Sequence, residues 1–217
     1  MAKGTMFGSL HSSADLHLIQ QKIEISPASP KLNLIDIPGA DGTKDLTEAL
    51  GVGVKYNDRE IVWTFALYPG ADWSAKQSEV SNAINGKRLQ IVPDGIGDWY
   101  FDGRIKVDSY ASDKLLQQIT VKAICKPYKL ASSISTVSRS DLSTSYKTLN
   151  LSIGAMPLIP EVTVEQETSL KWGDTTATVS AGTHLLPGLY MSGDQQLKAK
   201  VTSGTGTISV SWREGSL

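Results

Sequence analysis

The dominant pattern along the chain is an alternation of apolar and polar positions. Ile61, Trp63, Phe65 and Leu67 fall on one face, Ile119, Val121, Ala123 and Cys125 on another, and Val162 and Val164 repeat the pattern later. Period two marks a half-buried strand, because successive side chains leave a pleated backbone on opposite sides. Further strands are predicted over residues 31–36, 88–92, 98–110 and 206–213, most of them bounded by Gly, Asp, Asn or Pro. The expected class is mainly β.

One segment departs from this pattern. In ADWSAKQSEVSNAINGK, Asp72 or Ser74 can cap a helix, Gln77 completes a capping box with Ser74, and Gly86 stands where a helix ends in left-handed backbone. The spacing predicts a helix over residues 73–85, with Trp73, Val80 and Ile84 near one face. So thin an apolar stripe suits packing across a sheet. After Lys126-Pro127-Tyr128 the composition shifts: residues 131–145, ASSISTVSRSDLSTS, hold seven serines and read as a linker or a polar first strand. From Pro160 short strands separated by Gly-containing turns suggest a small β-sandwich. Two domains are therefore expected in the 217 residues, 1–129 and 130–217.

Composition narrows the function classes. With 40% hydrophobic and 20% charged residues the chain has material for real cores. Residues 1–127 carry 14 Lys/Arg against 15 Asp/Glu, and residues 128–217 carry 7 of each, so neither half is basic. Binding to nucleic acid through counterion release is disfavoured, and no sequence-specific nucleic-acid partner is expected. The single cysteine, Cys125, has no disulfide partner, which fits a reducing compartment. The N-terminal MAKGTMFGSLHSS lacks an apolar core of signal-peptide length, and IVWTFALYP is too short to span a bilayer, so membrane insertion is not expected.

Catalytic chemistry finds no anchor. There is no GxxxxGK[ST], and Gly51-Val52-Gly53 lacks the third glycine of a dinucleotide loop. Asp41, Thr43 and Asp45 open like a calcium loop, but Leu46 and Val52 stand where Gly and a bidentate Glu are required. His11, His17 and His184 are scattered, with no GxSxG or HExxH beside them. Asp94, Asp98 and Asp102 sit in PDGIGDWYFDGR, which reads as tight-turn chemistry. No enzyme activity, catalytic residue, cofactor or metal is expected. Trp172, Tyr190 and Trp212 could form a sugar-stacking platform on the C-terminal sandwich, although tryptophan in a small sandwich is more often core.

The most specified backbone is DIPGADGTKDLTEAL, residues 36–50. Pro38 fixes φ, Gly39 and Gly42 permit positive φ, and Asp41 stabilises a turn. Asp45 and Glu48 form a D-x-x-E cap before one helical turn, and the long strand YNDREIVWTFAL follows. Loop, turn and strand together make a projecting arm.

These residues resemble the distal tail proteins (Dit) of siphophages and prophages, in which a VPGRDG-like loop, a DLTEAL-like turn and a Y-x-N/D-R strand follow one another. Here they read IPGADG, DLTEAL and YNDRE, with Ala40 where Arg is commoner. The resemblance continues through NGK (85–87), WYFDGR (99–104) and AICKPYK (123–129), and returns at VSWREGSL (210–217). It implies an N-terminal β domain with one α-helix and a protruding hairpin, plus a C-terminal galectin-like β-sandwich. It further implies a homohexameric ring at the tip of a phage tail, assembled in the bacterial host cytoplasm. That ring would join the tail tube protein to a tail-associated hub protein and to receptor-binding protein around a DNA-conducting channel. A ring interface is head-to-tail, so one protomer must offer an arm and the next a groove. Strand addition between neighbours would supply such a contact. Asp36, Pro38, Gly39, Asp41, Gly42, Asp45, Leu46, Leu50, Tyr56 and Arg59 are the expected ring contacts. The alternative is a carbohydrate-binding module at the tail tip that touches the host surface through Trp172, Tyr190 and Trp212.

Overall fold

The computed structural model describes residues 3–49, 51, 53–68, 70–112 and 117–217. The chain divides into two compact units, residues 1–129 and 130–217.

The first unit is a mixed-order antiparallel sheet with one helix. In chain order its elements are β1 (Thr5–Phe7), β2 (Leu10–His11), β3 (Leu18–Ile25), β4 (Leu34–Asp36), β5 (Thr43–Asp45), β6 (Arg59–Leu67), α1 (Trp73–Ile84), β7 (Arg88–Pro93), β8 (Trp99–Ser112) and β9 (Gln117–Cys125). The main sheet runs β2-β1-β7-β8-β9-β6-β3, while β4 and β5 pair only with each other. Strict alternation explains the central pairing. With Trp63 opposite Val121 and Phe65 opposite Ile119, both partners put their apolar residues on one face. That face is closed by α1 through Val80 and Ile84, which are completely buried.

Two polar contacts fix the packing. Trp63 Nε1 donates to Thr5 Oγ1 at 2.9 Å, so the largest core side chain leaves no buried donor unpaired. Tyr110 on β8 meets Trp73 edge to face at 5.7 Å, and its hydroxyl reaches Ser81 Oγ and the Gln77 carbonyl, pinning the helix across the sheet. Asp72 caps α1 by accepting from Ala75 N, and Gly86 takes φ 74° just beyond the helix. The Ser74–Gln77 capping box is not used, because Ser74 already lies inside the first turn.

β10 (Lys129–Ala131) straddles the boundary between the units. The second unit contains β11 (Ser135–Leu142), β12 (Lys147–Ser152), β13 (Glu161–Val164), β14 (Thr168–Trp172), β15 (Thr175–Val179), β16 (Gly182–Leu185), β17 (Asp194–Val201), β18 (Gly206–Trp212) and β19 (Gly215–Ser216). Two four-stranded sheets, β11-β18-β13-β16 and β12-β17-β14-β15, enclose one core that includes Leu149, Leu151, Val162, Val164, Leu170, Leu197, Ile208 and Val210. This is a β-sandwich. The serine-rich segment is its first strand, β11, held to β18 by main-chain pairing and by Ser138 Oγ donating to Ser209 Oγ.

One turn expectation is corrected. Asp94 lies in a turn and Asp98 in a bend, but Asp102 lies inside β8. Gly103 beside it serves close packing and no turn: a Cβ there would sit 2.4 Å from Cys125 Sγ and 2.9 Å from the Ile124 carbonyl. Asp102 is held on the open face of the sheet by Arg88, through two contacts at 2.8 and 2.7 Å, and by Lys126 at 2.9 Å.

Candidate assembly interface

Between β3 and β6 the chain leaves the sheet as an arm. Its root is clamped by Lys31 N donating to the Lys55 carbonyl, Asn57 N to the Ser29 carbonyl, and a bridge between Pro30 and Tyr56. Further out, Asn33 N donates to Thr47 Oγ1, and Leu46 N donates to the Asn33 carbonyl. The hairpin then pairs Leu34 with Asp45, Ile35 with Lys44 and Asp36 with Thr43. At the tip Ala40 N donates to the Ile37 carbonyl across Pro38 and Gly39. Gly39 at φ 85° after a proline is the arrangement of a type II turn. Neither Gly39 nor Gly42 has an atom near its missing Cβ, so both are required for backbone angle and not for space.

The predicted strand over 31–36 shortens to Leu34–Asp36. Pairing with β5 extends no further because side-chain caps replace the ladder at Asn33 and Thr47. The expected D-x-x-E cap is also replaced: Asp45 accepts from Thr47 N at 2.8 Å, and Ala49 N donates to the Leu46 carbonyl in a turn. Hydrogen bonding from Thr47, through its side chain first and its main-chain N–H second, lowers the Asp45 pKa.

Every residue from Lys31 to Asp45 is exposed. At about 3.3 Å per residue, the ten positions from Lys31 to Ala40 reach roughly 30 Å if fully extended. The arm is also apolar on its flanks, with Leu32 59%, Leu34 49%, Ile35 45% and Ile37 46% exposed. These four residues are the feature that the sequence pattern hid. The available signal was an apolar run, LNLIDI, next to a loop whose backbone is tightly specified.

The expected contacts fall in three places. Asp36, Pro38, Gly39, Asp41, Gly42 and Asp45 lie on the exposed arm. Leu46 and Tyr56 lie half-buried toward its root, Tyr56 packing edge-on against Tyr128 at 6.0 Å, and Leu50 lies outside the described residues. Arg59 does not belong with the arm. It is 6% exposed within β6, its guanidinium lies 5.4 Å from the Phe101 ring centre, and its Nε has no hydrogen-bond partner. Desolvation lowers its pKa, and the aromatic face supplies the compensating attraction.

The three aromatic residues of the C-terminal sandwich do not make an exposed platform. Trp212 is 6% exposed in the core, Trp172 packs on the same core and donates to the Gly188 carbonyl, and only Tyr190 is exposed. Trp172 and Trp212 come from opposite sheets of the sandwich. Among the described residues no group of three or more His, Cys, Asp or Glu is placed to hold a metal ion, and no helix is long and apolar enough to cross a membrane.

No family model matches the sequence, and no curated protein matches it. Among solved structures, the Dit protein (gp 19.1) of SPP1, described as a paradigm of the hub adsorption apparatus in phages infecting Gram-positive hosts, aligns over 100% of both chains with a TM-score of 0.70 and 13% identity. From end to end, this chain has the fold of SPP1 Dit.

Proposed function

We propose that this protein is a distal tail protein: a structural hub whose copies close head to tail into a hexameric ring at the tip of a phage tail. The ring joins the tail tube protein to a tail-associated hub protein and to receptor-binding protein, and leaves a channel for DNA. Its place is the virion, after assembly in the host cytoplasm. The observation that carries this reading is the arm: a hairpin with no core of its own, exposed throughout residues 31–45, bearing four half-exposed aliphatic side chains. A chain with the fold of a tail hub protein and such an arm needs a neighbour to cover it.

The open sheet face of the first unit suits the receiving role better than the sheet edge does. The β3 edge is blunted by a register shift between Gln20 and Lys22 and by the Lys22–Glu24 ion pair, both of which discourage strand addition. The open face instead carries a groove whose lining stays cationic, with Arg88, Arg104, Lys106 and Lys126 against Asp58 and Asp102; Arg104 makes no ion pair among the described residues, and Ile124 is 52% exposed beside them. A tip bearing Asp36 and Asp41 next to Ile35 and Ile37 complements that lining in charge and in apolarity.

Light scattering on a size-exclusion column, with negative-stain microscopy of the same fractions, tests the reading. The expected result is a six-fold ring, at high concentration or with the tail-associated partner added. A strict monomer under both conditions overturns it.

A further inference from the structure

In the sheet β12-β17-β14-β15, Leu149, Leu151, Leu170, Leu197 and Ala199 point into the sandwich. Alternation therefore puts Thr148, Lys198, Lys171 and Thr176 side by side across the open face, with Lys200, Ser169 and Thr178 in the next row. Lys171 and Lys198 are directly opposed across β14 and β17. Like charges in that position cost stability. Neither makes an ion pair among the described residues, and nor does Lys200, whose Nζ lies 4.8 Å from the Tyr146 ring centre. The Tyr146 hydroxyl is in turn held by Ser169 Oγ at 3.2 Å. Two carboxylates lie in line with these rows, each at a strand end: Asp194 starts β17 and accepts from Ser152 Oγ, and Glu167 immediately precedes β14 on the side of Ser169 and Lys171; neither pairs with the lysines among the described residues.

The first unit treats its cations differently. On its open sheet face Asp102 neutralises Arg88 and Lys126, and Asp108 neutralises Lys106 and Lys122. The sandwich holds three adjacent lysines with no such acid, although its 128–217 segment carries as many acidic as basic residues. We propose that this open face is a binding site for a polyanionic glycan, a polysaccharide bearing carboxylate or phosphate groups. The lysines meet its charges, while Thr148, Asn150, Thr176 and Gln196 offer hydroxyl and amide partners to its sugar hydroxyls. An acidic protein surface fits less well, because protein interfaces centre on aromatic and apolar residues and are depleted in lysine. The site does not depend on the ring and uses none of the arm.

Binding of the full chain is measured on immobilised polygalacturonate, for carboxylate, and on a phosphodiester-bearing mannan, for phosphate, with neutral dextran as blank. Retention on either anionic polymer and not on dextran is expected, weakening steeply between about 50 and 200 mM salt. Which polymer is retained identifies the anion. The Lys171→Gln/Lys198→Gln variant should bind at least about tenfold more weakly while its thermal midpoint is not lowered, since opposed charges have been removed. Unchanged binding by the variant, equal retention on dextran, loss on both anionic polymers, or tighter binding to duplex DNA or polyglutamate overturns the proposal.

Discussion

Truncating Leu32, Leu34, Ile35 and Ile37 together to alanine separates assembly from folding. Each change removes three carbons, worth about 0.8 kcal/mol apiece on full burial. The monomer leaves these side chains 45–59% exposed, so only that share remains to be gained at an interface. The product is about 1 kcal/mol per residue and about 4 kcal/mol per contact, close to a thousandfold in dissociation constant. A ring made of repeated identical contacts loses that at each one. The assay is light scattering across a concentration series, paired with thermal unfolding of the same samples. The four side chains belong to neither core cluster, so the midpoint should stay within about 1 °C. Unchanged assembly would refute the role of the arm as an adhesive surface. A midpoint lowered by more than about 4 °C would refute the view that the arm is independent of the fold.

Three further outcomes test the first unit. Gly103→Ala would press a methyl group against Cys125 Sγ and the Ile124 carbonyl, and it should cost about 2–3 kcal/mol in urea unfolding; an unaltered midpoint would contradict the close approach. Asp102 has its pKa lowered to about 2, chiefly by its hydrogen bond with Arg88 and further by Lys126. A folded pKa below the unfolded value of about 3.9 means stability present above pH 4 and lost as pH falls through about 2. Asp102→Asn should therefore be less stable than wild type by about 1–2 kcal/mol at neutral pH, with the gap closing between pH 4 and 2, and a gap independent of pH would exclude this linkage. Burial raises the Cys125 thiol to about 12, so the folded protein should resist iodoacetamide at pH 8 and react once unfolded; rapid labelling without denaturant would count against the buried position.

The body of each unit was legible in the sequence where one face of a strand meets a core. Ile61, Trp63, Phe65 and Val121 alternate because solvent or the open face lies on their other side, and α1 announced itself through Asp72 and Gly86. Legibility failed where a residue type serves two physical ends. Asp102-Gly103 looks like a turn, but the glycine answers to Cys125 across the sheet. Serine-rich β11 reads equally as a linker or a polar first strand, and main-chain pairing with β18 and a single buried anchor, Leu142, make it the strand. Trp212 can serve a ligand or a core, and the core reading, the commoner one for tryptophan in a small sandwich, is the one the structure shows. The lysine face could have been found, since Lys198-Ala199-Lys200 within a strand must put both charges on one side.

The arm escaped the pattern for a different reason, and that reason bears on how it binds. A half-buried strand segregates its apolar residues by parity, whereas Leu32 and Leu34 share one parity and Ile35 and Ile37 the other. Both faces of the ribbon are therefore apolar and both are exposed. A ribbon laid flat on a neighbour would cover one face and leave the other in water, gaining about half of the available burial. Two apolar faces are better satisfied by a cleft that closes on both sides, formed by one neighbour or shared between two. The consequence is testable by parity: Leu32→Ala/Leu34→Ala and Ile35→Ala/Ile37→Ala should each weaken assembly by roughly thirty- to fiftyfold, about 2 kcal/mol per pair. An effect confined to one pair would show a ribbon lying flat, and the cleft would have to be abandoned.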